Sequence, residues 1–163
     1  MEALRDGRKA DAVALLEDAA EAGDAGAANQ LGAMFEHGDY VQQDYARARE
    51  LYLKAAEKGL ALAQFNLGFL LHMGRGGSVD VERARSWYGK AAEQGEPTAL
   101  LNLGSLMARG EGGPRDVAGG YALWEQSAEA GESMAAFNLG MERVGGQAGP
   151  VNFAHAVVWF RRA

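Results

Sequence analysis

The sequence predicts an all-α fold, a solenoid of antiparallel helical hairpins, and three observations predict it. The stretch from Ala63 to Gly95 returns at a fixed period of 36 residues, uninterrupted by insertion or deletion. Apolar residues inside each copy recur at helical spacing. Glycines recur at fixed positions: Leu-Gly returns at Leu31-Gly32, Leu67-Gly68, Leu103-Gly104 and Leu139-Gly140, and Glu-x-Gly at Glu21/Gly23, Glu57/Gly59, Glu93/Gly95 and Glu129/Gly131 closes each preceding copy. A third glycine stands at Gly38, Gly74, Gly110 and Gly146. A repeat of this length is one supersecondary unit that buries its apolar face only by stacking on neighbours.

Taken in order, Met1 to Asp6 reads as the last turn of a helix broken at Gly7, followed by an amphipathic helix over 9–22 with Ala12, Leu15, Leu16, Ala19 and Ala20 on one face. That helix matches the second helix of each later copy, so the chain is expected to open partway through a repeat. The first helix of each hairpin (A) is expected at 25–37, 61–73, 97–109 and 133–144. Pro97 opens the third, where its missing N–H is not needed. Ala63, Leu67 and Leu71 make the apolar stripe of the second. The glycines after each helix suit left-handed C-terminal positions. Loops then run to Asp44, Asp80, Asp116 and Asn152, good N-caps for second helices (B) at 45–58, 81–94, 117–130 and 153–163. Helix B alternates small and large, as in Ala48, Leu51, Tyr52, Ala55 and Ala84, Trp87, Tyr88, Ala91. The glycine of each Leu-Gly pair lies inside a helix, at a cost of about 1 kcal/mol relative to alanine. A bulky helix-B side chain against bare backbone is the offset expected. The fourth copy departs, with Glu142 and Arg143 where earlier copies are apolar. The expected division is one solenoid domain, 1–163, with a partial repeat at 1–23, full repeats at 24–59, 60–95 and 96–131, and a truncated one at 132–163.

Net charge −6 and a pI near 5.1 argue against nucleic acid, which demands a basic face. Zero cysteines remove disulfides and thiolate chemistry. No apolar run of 18 residues and no basic-then-apolar leader at Met1 occur, so a soluble chain of cytoplasm or periplasm is expected.

The second copy combines Asn66-Leu67-Gly68, Gly74-Arg75-Gly76, Asp80, Arg83-Ala84, Trp87-Tyr88 and Lys90-Ala91-Ala92-Glu93-Gln94-Gly95. This pattern resembles the Sel-one-like repeat family, relatives of tetratricopeptide repeats, over residues 9–163. The third copy departs with Gly119-Gly120 for Arg-Ala, the fourth with Asn152 for Asp. The resemblance implies a right-handed, tetratricopeptide-like superhelix with helix A lining its concave side, and a role as adaptor or scaffold. A cysteine-rich branch of that family is associated with β-lactam chemistry, which does not carry over to a chain without cysteine.

Candidate chemistry is sparse. His37, His72 and His155 have no partner three or four residues away, so no local metal site is expected. The loops Gly74–Gly77 and Gly110–Gly113 follow helices rather than strands and lack a Walker lysine. Carboxylates follow caps and solvent faces, leaving no acid/base pair to nominate. Neither enzyme nor cofactor is expected.

Binding residues are sought where helix A varies between copies. The row Gln30, Asn66, Asn102, Asn138 recurs and reads first as structural, bonding a neighbouring loop. The next row is Ala33, Phe69, Ser105, Met141, and one turn on come His37, Met73, Arg109 and Gly145. Phe69 and Met73 form an apolar groove flanked by Arg109, unless Phe69 merely pads the inter-repeat core. The expected binding set is Gln30, His37, Asn66, Phe69, Met73, Asn102, Ser105, Arg109, Asn138 and Met141, strongest in the middle copies. The leading reading is a scaffold holding a peptide or partner domain on the concave face. The rival is a structural spacer of a larger bacterial-type protein, self-associating end to end. An enzyme acting on cell wall or carbohydrate stands far behind.

Overall fold

A computed structural model of the chain describes residues 2–145, 153–161 and 163. The described residues form nine helices and no strand: α1 (Glu2–Glu21), α2 (Ala25–His37), α3 (Tyr45–Glu57), α4 (Ala61–Met73), α5 (Val81–Glu93), α6 (Pro97–Arg109), α7 (Val117–Glu129), α8 (Ser133–Gly145) and α9 (Phe153–Phe160). The chain is an all-α helical repeat protein, and the helix bounds follow its 36-residue period. Gly146 and the expected cap Asn152 lie outside the described residues.

The chain divides into two compact units, Met1–Asp80 and Val81–Ala163. In the first, α1 packs on α2, α2 on α3 and α3 on α4. The expected stripe Ala63, Leu67, Leu71 is buried, as are Leu31 and Phe35 of α2 and Ala48, Leu51, Tyr52 and Ala55 of α3. In the second, α5 to α9 pack in the same sequential way. Leu101, Ala128, Ala135, Ala136 and Leu139 form a cluster there, flanked by Trp124 and Trp159. Each large buried side chain contributes about 1.5–3 kcal/mol, and sequential stacking is how short hairpins gather that burial.

Bare backbone meets bulk as expected. A Cβ on Gly32 would stand 2.9 Å from the Tyr52 ring, and one on Gly104 would stand 2.6 Å from the Gly120 carbonyl and 2.8 Å from Trp124. On Gly140 it would lie 2.5 Å from Phe160. The helix-A glycine therefore makes room for the aromatic of helix B in each of these hairpins. Gly68 is buried as well.

The ends of the helices follow backbone chemistry. Asp44 accepts from the Ala46 and Arg47 amides, and Asp116 from Gly119. Helix A has caps that the sequence reading overlooked: Asp24 accepts from Ala27, and Glu96 from Ala99. Gly38, Gly74 and Gly110 adopt the left-handed conformation at the ends of α2, α4 and α6.

Two expectations need correction. Gly7 does not break a helix; α1 runs unbroken through it. A glycine costs a helix only about 1 kcal/mol, and the helix formers on both sides of it cover that. The apolar face foreseen for α1 is also only partly used. Ala20 is buried, whereas Ala12 and Leu15 are exposed, Leu15 by 69%. Packing chiefly on α2, this helix has one side covered.

The A–B loops at 74–80 and 110–116 are fastened to the helix B before them. Gly76 has φ 74° and sits so close to the Tyr45 carbonyl that a Cβ would collide with it. Gly112, φ 66°, stands in the same way over Val81. In this second loop Arg85 donates to the Glu111 carbonyl at 3.2 Å and to the Pro114 carbonyl at 3.0 Å. Arg49, one period earlier, lies against Gly77. Tyr40 occupies the corresponding position of the first loop and keeps a positive φ of 65° without being glycine.

Candidate protein-interaction site

The expected binding residues fall five in each unit. In the first, Gln30 and His37 are exposed on α2, with His37 Nδ1 2.8 Å from the Ala33 carbonyl. Asn66 donates to the Asn29 side chain at 3.1 Å. The structural reading of this row holds there, but the partner is the neighbouring helix A rather than a loop. Phe69, half-buried, stacks on Phe65 at 6.4 Å, and the Arg75 guanidinium lies 5.2 Å over its ring. Met73 is 48% exposed.

Arg75 also ties this face to the core. It covers the Tyr45 ring at 5.3 Å and reaches Glu36 at 3.4 Å. Glu36 is buried and accepts from the Tyr52 hydroxyl at 2.8 Å. Burial, reinforced by Glu36, pushes the Tyr52 hydroxyl far above its ordinary pKa.

In the second unit Asn102 acts inward, on the buried Tyr88 hydroxyl, whose pKa burial raises and Asn102 partly restores. The other four, Ser105, Arg109, Asn138 and Met141, line one cleft of about 870 Å³ between α6, α7 and α8. Ser105 is already engaged: it donates to Leu101 at 2.9 Å and accepts from Trp124 at 3.2 Å. Arg109 reaches out to Glu111 at 3.0 Å, and Met141 is 52% exposed.

Sequence reasoning missed Arg115, Tyr121 and Trp124 as lining residues, and saw Glu142 only as an irregularity. Arg115 donates its Nε proton to the Ala108 carbonyl at 3.0 Å. Tyr121 donates to Glu142 at 2.9 Å and packs edge-on against Trp124 at 4.9 Å. Burial first, then the Glu142 carboxylate, pushes the Tyr121 pKa up to about 12, against a smaller opposing pull from Arg115. A signal was present. Tyr121 takes the position of the loop-holding Arg49 and Arg85, and Glu142 that of Met34, Leu70 and Leu106, all buried. Among the described residues no group of three or more His, Asp or Glu is placed to hold a metal ion. No described helix is long and apolar enough to cross a membrane.

Each unit is thus built of helices packed in sequence, with buried positions that largely recur and A-helix positions that vary between copies. The Sel1 repeat matches the chain at residues 25–60, 61–96, 97–132 and 133–163. The chain belongs to the Sel1 repeat family. A Sel1 repeat protein from Oxalobacter formigenes superimposes with a TM-score of 0.81 at 29% identity, over 92% of this chain and 68% of that one. A sel1 repeat protein from Klebsiella pneumoniae subsp. pneumoniae gives 0.59 at 27% identity, over 90% and 74%. The protective antigen c5321 of uropathogenic Escherichia coli, which displays this repeat fold, gives 0.50 at 28% identity. The chain spans 40% of that antigen's length. No curated protein matches the chain in sequence. Sel1 repeat proteins generally serve as protein-interaction scaffolds and are typically not enzymes.

Proposed function

We propose that this chain is an interaction scaffold that takes a peptide or a partner domain on the face lined by its A helices. One observation carries the reading: Ser105, Arg109 and Met141, chosen for varying between copies, line a single cleft together with Asn138 of the recurring row. Interfaces draw their energy from a few rotamer-poor aromatics, arginines and adaptable thioethers in such depressions. Gln30, His37, Asn66, Phe69 and Met73 offer the corresponding face of the first unit.

Selection from a displayed random-peptide library against the whole chain tests the proposal. Recovered peptides should lose at least tenfold in affinity to Met141→Glu, and about 2 kcal/mol or more to Phe69→Ala with Arg109→Ala, the usual hot-spot threshold. Retention by both variants, with loss instead to Lys90→Glu on α5, would move binding off the A-helix face.

A self-associating spacer is the second reading, favoured by the exposure of Met134, Phe137, Val157 and Val158 on α8 and α9. Light scattering decides it: a mass that climbs with concentration supports the spacer, and a constant monomer mass removes it.

A further inference from the structure

We propose that the cleft between α6, α7 and α8 selects a basic peptide segment, placing a lysine or arginine head on Glu142. The inference rests on the scaffold reading above and gives its partner a chemistry. It begins from a carboxylate in a position built for an apolar side chain. Leu106 and Leu70, one and two periods earlier, are fully buried at this position, and Met34, three periods earlier, is 9% exposed. Glu142 stands there half-buried, on the wall of the cleft, with the Tyr121 hydroxyl on it at 2.9 Å. Sequences break their own packing rule mainly where function compensates.

The cleft holds charges of both signs, so their depth decides the ligand. Arg109 has a side chain 57% exposed and ion-paired to Glu111, and Arg115 is exposed. Charges at such a rim are screened by water and salt. Glu142 lies deeper, where a lower effective dielectric strengthens its attraction for an incoming cation. Tyr121 and Met141 line the same cleft. A ring face and a thioether suit the methylene stem of a lysine or arginine, which buries its carbons while its head seeks charge. The whole chain adds to this preference, since −6 draws basic partners and slows acidic ones.

Two fluorescein-labelled decapeptides settle the matter by fluorescence polarisation with the whole chain. One alternates lysine with leucine; the other carries glutamate at every lysine position. The basic peptide should bind at least tenfold tighter. Glu142→Gln, which keeps an acceptor for Tyr121, should weaken it about tenfold. Glu82→Gln on α5, exposed in the same unit, removes the same charge outside the cleft and should leave affinity unchanged. Glu142→Leu, which restores the residue type of the earlier copies, should fold and yet bind no better than Glu142→Gln. Equal losses for Glu82→Gln and Glu142→Gln would reduce the attraction to bulk charge and overturn the site. Tighter binding of the acidic peptide, lost in Arg115→Gln, would overturn the basic preference while leaving the scaffold reading intact. Binding of neither peptide would also end the proposal, and the library selection would still judge the scaffold.

Discussion

At the scale of single residues, glycines that look alike in the sequence have opposite consequences. Gly104 lies within the reach of the Gly120 carbonyl and the Trp124 ring. Gly104→Ala should lose about 1–3 kcal/mol, because a backbone atom cannot turn aside as a side chain can. Gly89, inside α5, has nothing within 4 Å of its missing Cβ. Gly89→Ala should therefore gain about 0.5–1 kcal/mol from helix propensity alone. Urea unfolding of both variants checks the pair; a Gly104→Ala variant as stable as the parent or more so would refute the close approach there, and a loss for Gly89→Ala would refute the open space beside it. Tyr52 supplies a second case. Its hydroxyl donates to the buried carboxylate of Glu36, so Tyr52→Phe withdraws a hydrogen bond while adding almost no cavity. A loss of about 1–3 kcal/mol is expected by the same measurement, the range for leaving a buried polar group short of a partner.

At the scale of elements, the clasp between helix B and the following A–B loop is the interaction to break. Arg85→Ala removes the donors to the Glu111 and Pro114 carbonyls and should cost about 1–2 kcal/mol. Hydrogen exchange should show the loss first as faster exchange in residues 110–116. Exchange accelerated evenly over every helix would mean the arginine holds something other than the loop. The helices themselves were legible beforehand because period, caps and terminal glycines agreed, and the bounds of α2 to α7 fall within a residue of those expected. The clasp was not legible. It depends on Gly76 and Gly112 touching Tyr45 and Val81, each about 31 residues back, and local spacing carries no trace of a contact that distant. The cleft was half legible for a related reason. Positions that vary along helix A pointed to Ser105, Arg109 and Met141, and the recurring row added Asn138, but Arg115 and Tyr121 arrive from a loop and a helix B. The unbroken α1 was misread because Gly7 was judged by its own propensity rather than by that of its neighbours.

At the scale of the whole molecule, the tyrosines couple stability to alkaline pH. Tyr52, Tyr88 and Tyr121 all have hydroxyls raised above the ordinary tyrosine pKa, chiefly by burial. A group whose folded pKa is raised binds its proton more tightly in the native state. Its contribution is complete below the unfolded pKa of about 10 and is lost as pH climbs toward the folded value. For Tyr121 that window runs from about 10 to about 12. Melting temperatures should accordingly hold up to pH near 10 and fall steeply beyond it, and Tyr121→Phe should shallow the fall. A profile that rises through this window would contradict the burial of these rings.

The repeat also has hard joints and soft ones. Two A–B loops are pinned where Gly76 and Gly112 meet the helix B before them, whereas Gly59, Gly95 and Gly131 in the B–A turns have nothing within 4 Å of a would-be Cβ. An engineer wishing to graft a reporter or an epitope into this scaffold would meet a lock at one kind of corner and an open door at the other. A flexible graft after Gly95 adds a loop whose entropic penalty grows only logarithmically with length, so its size matters less than its address.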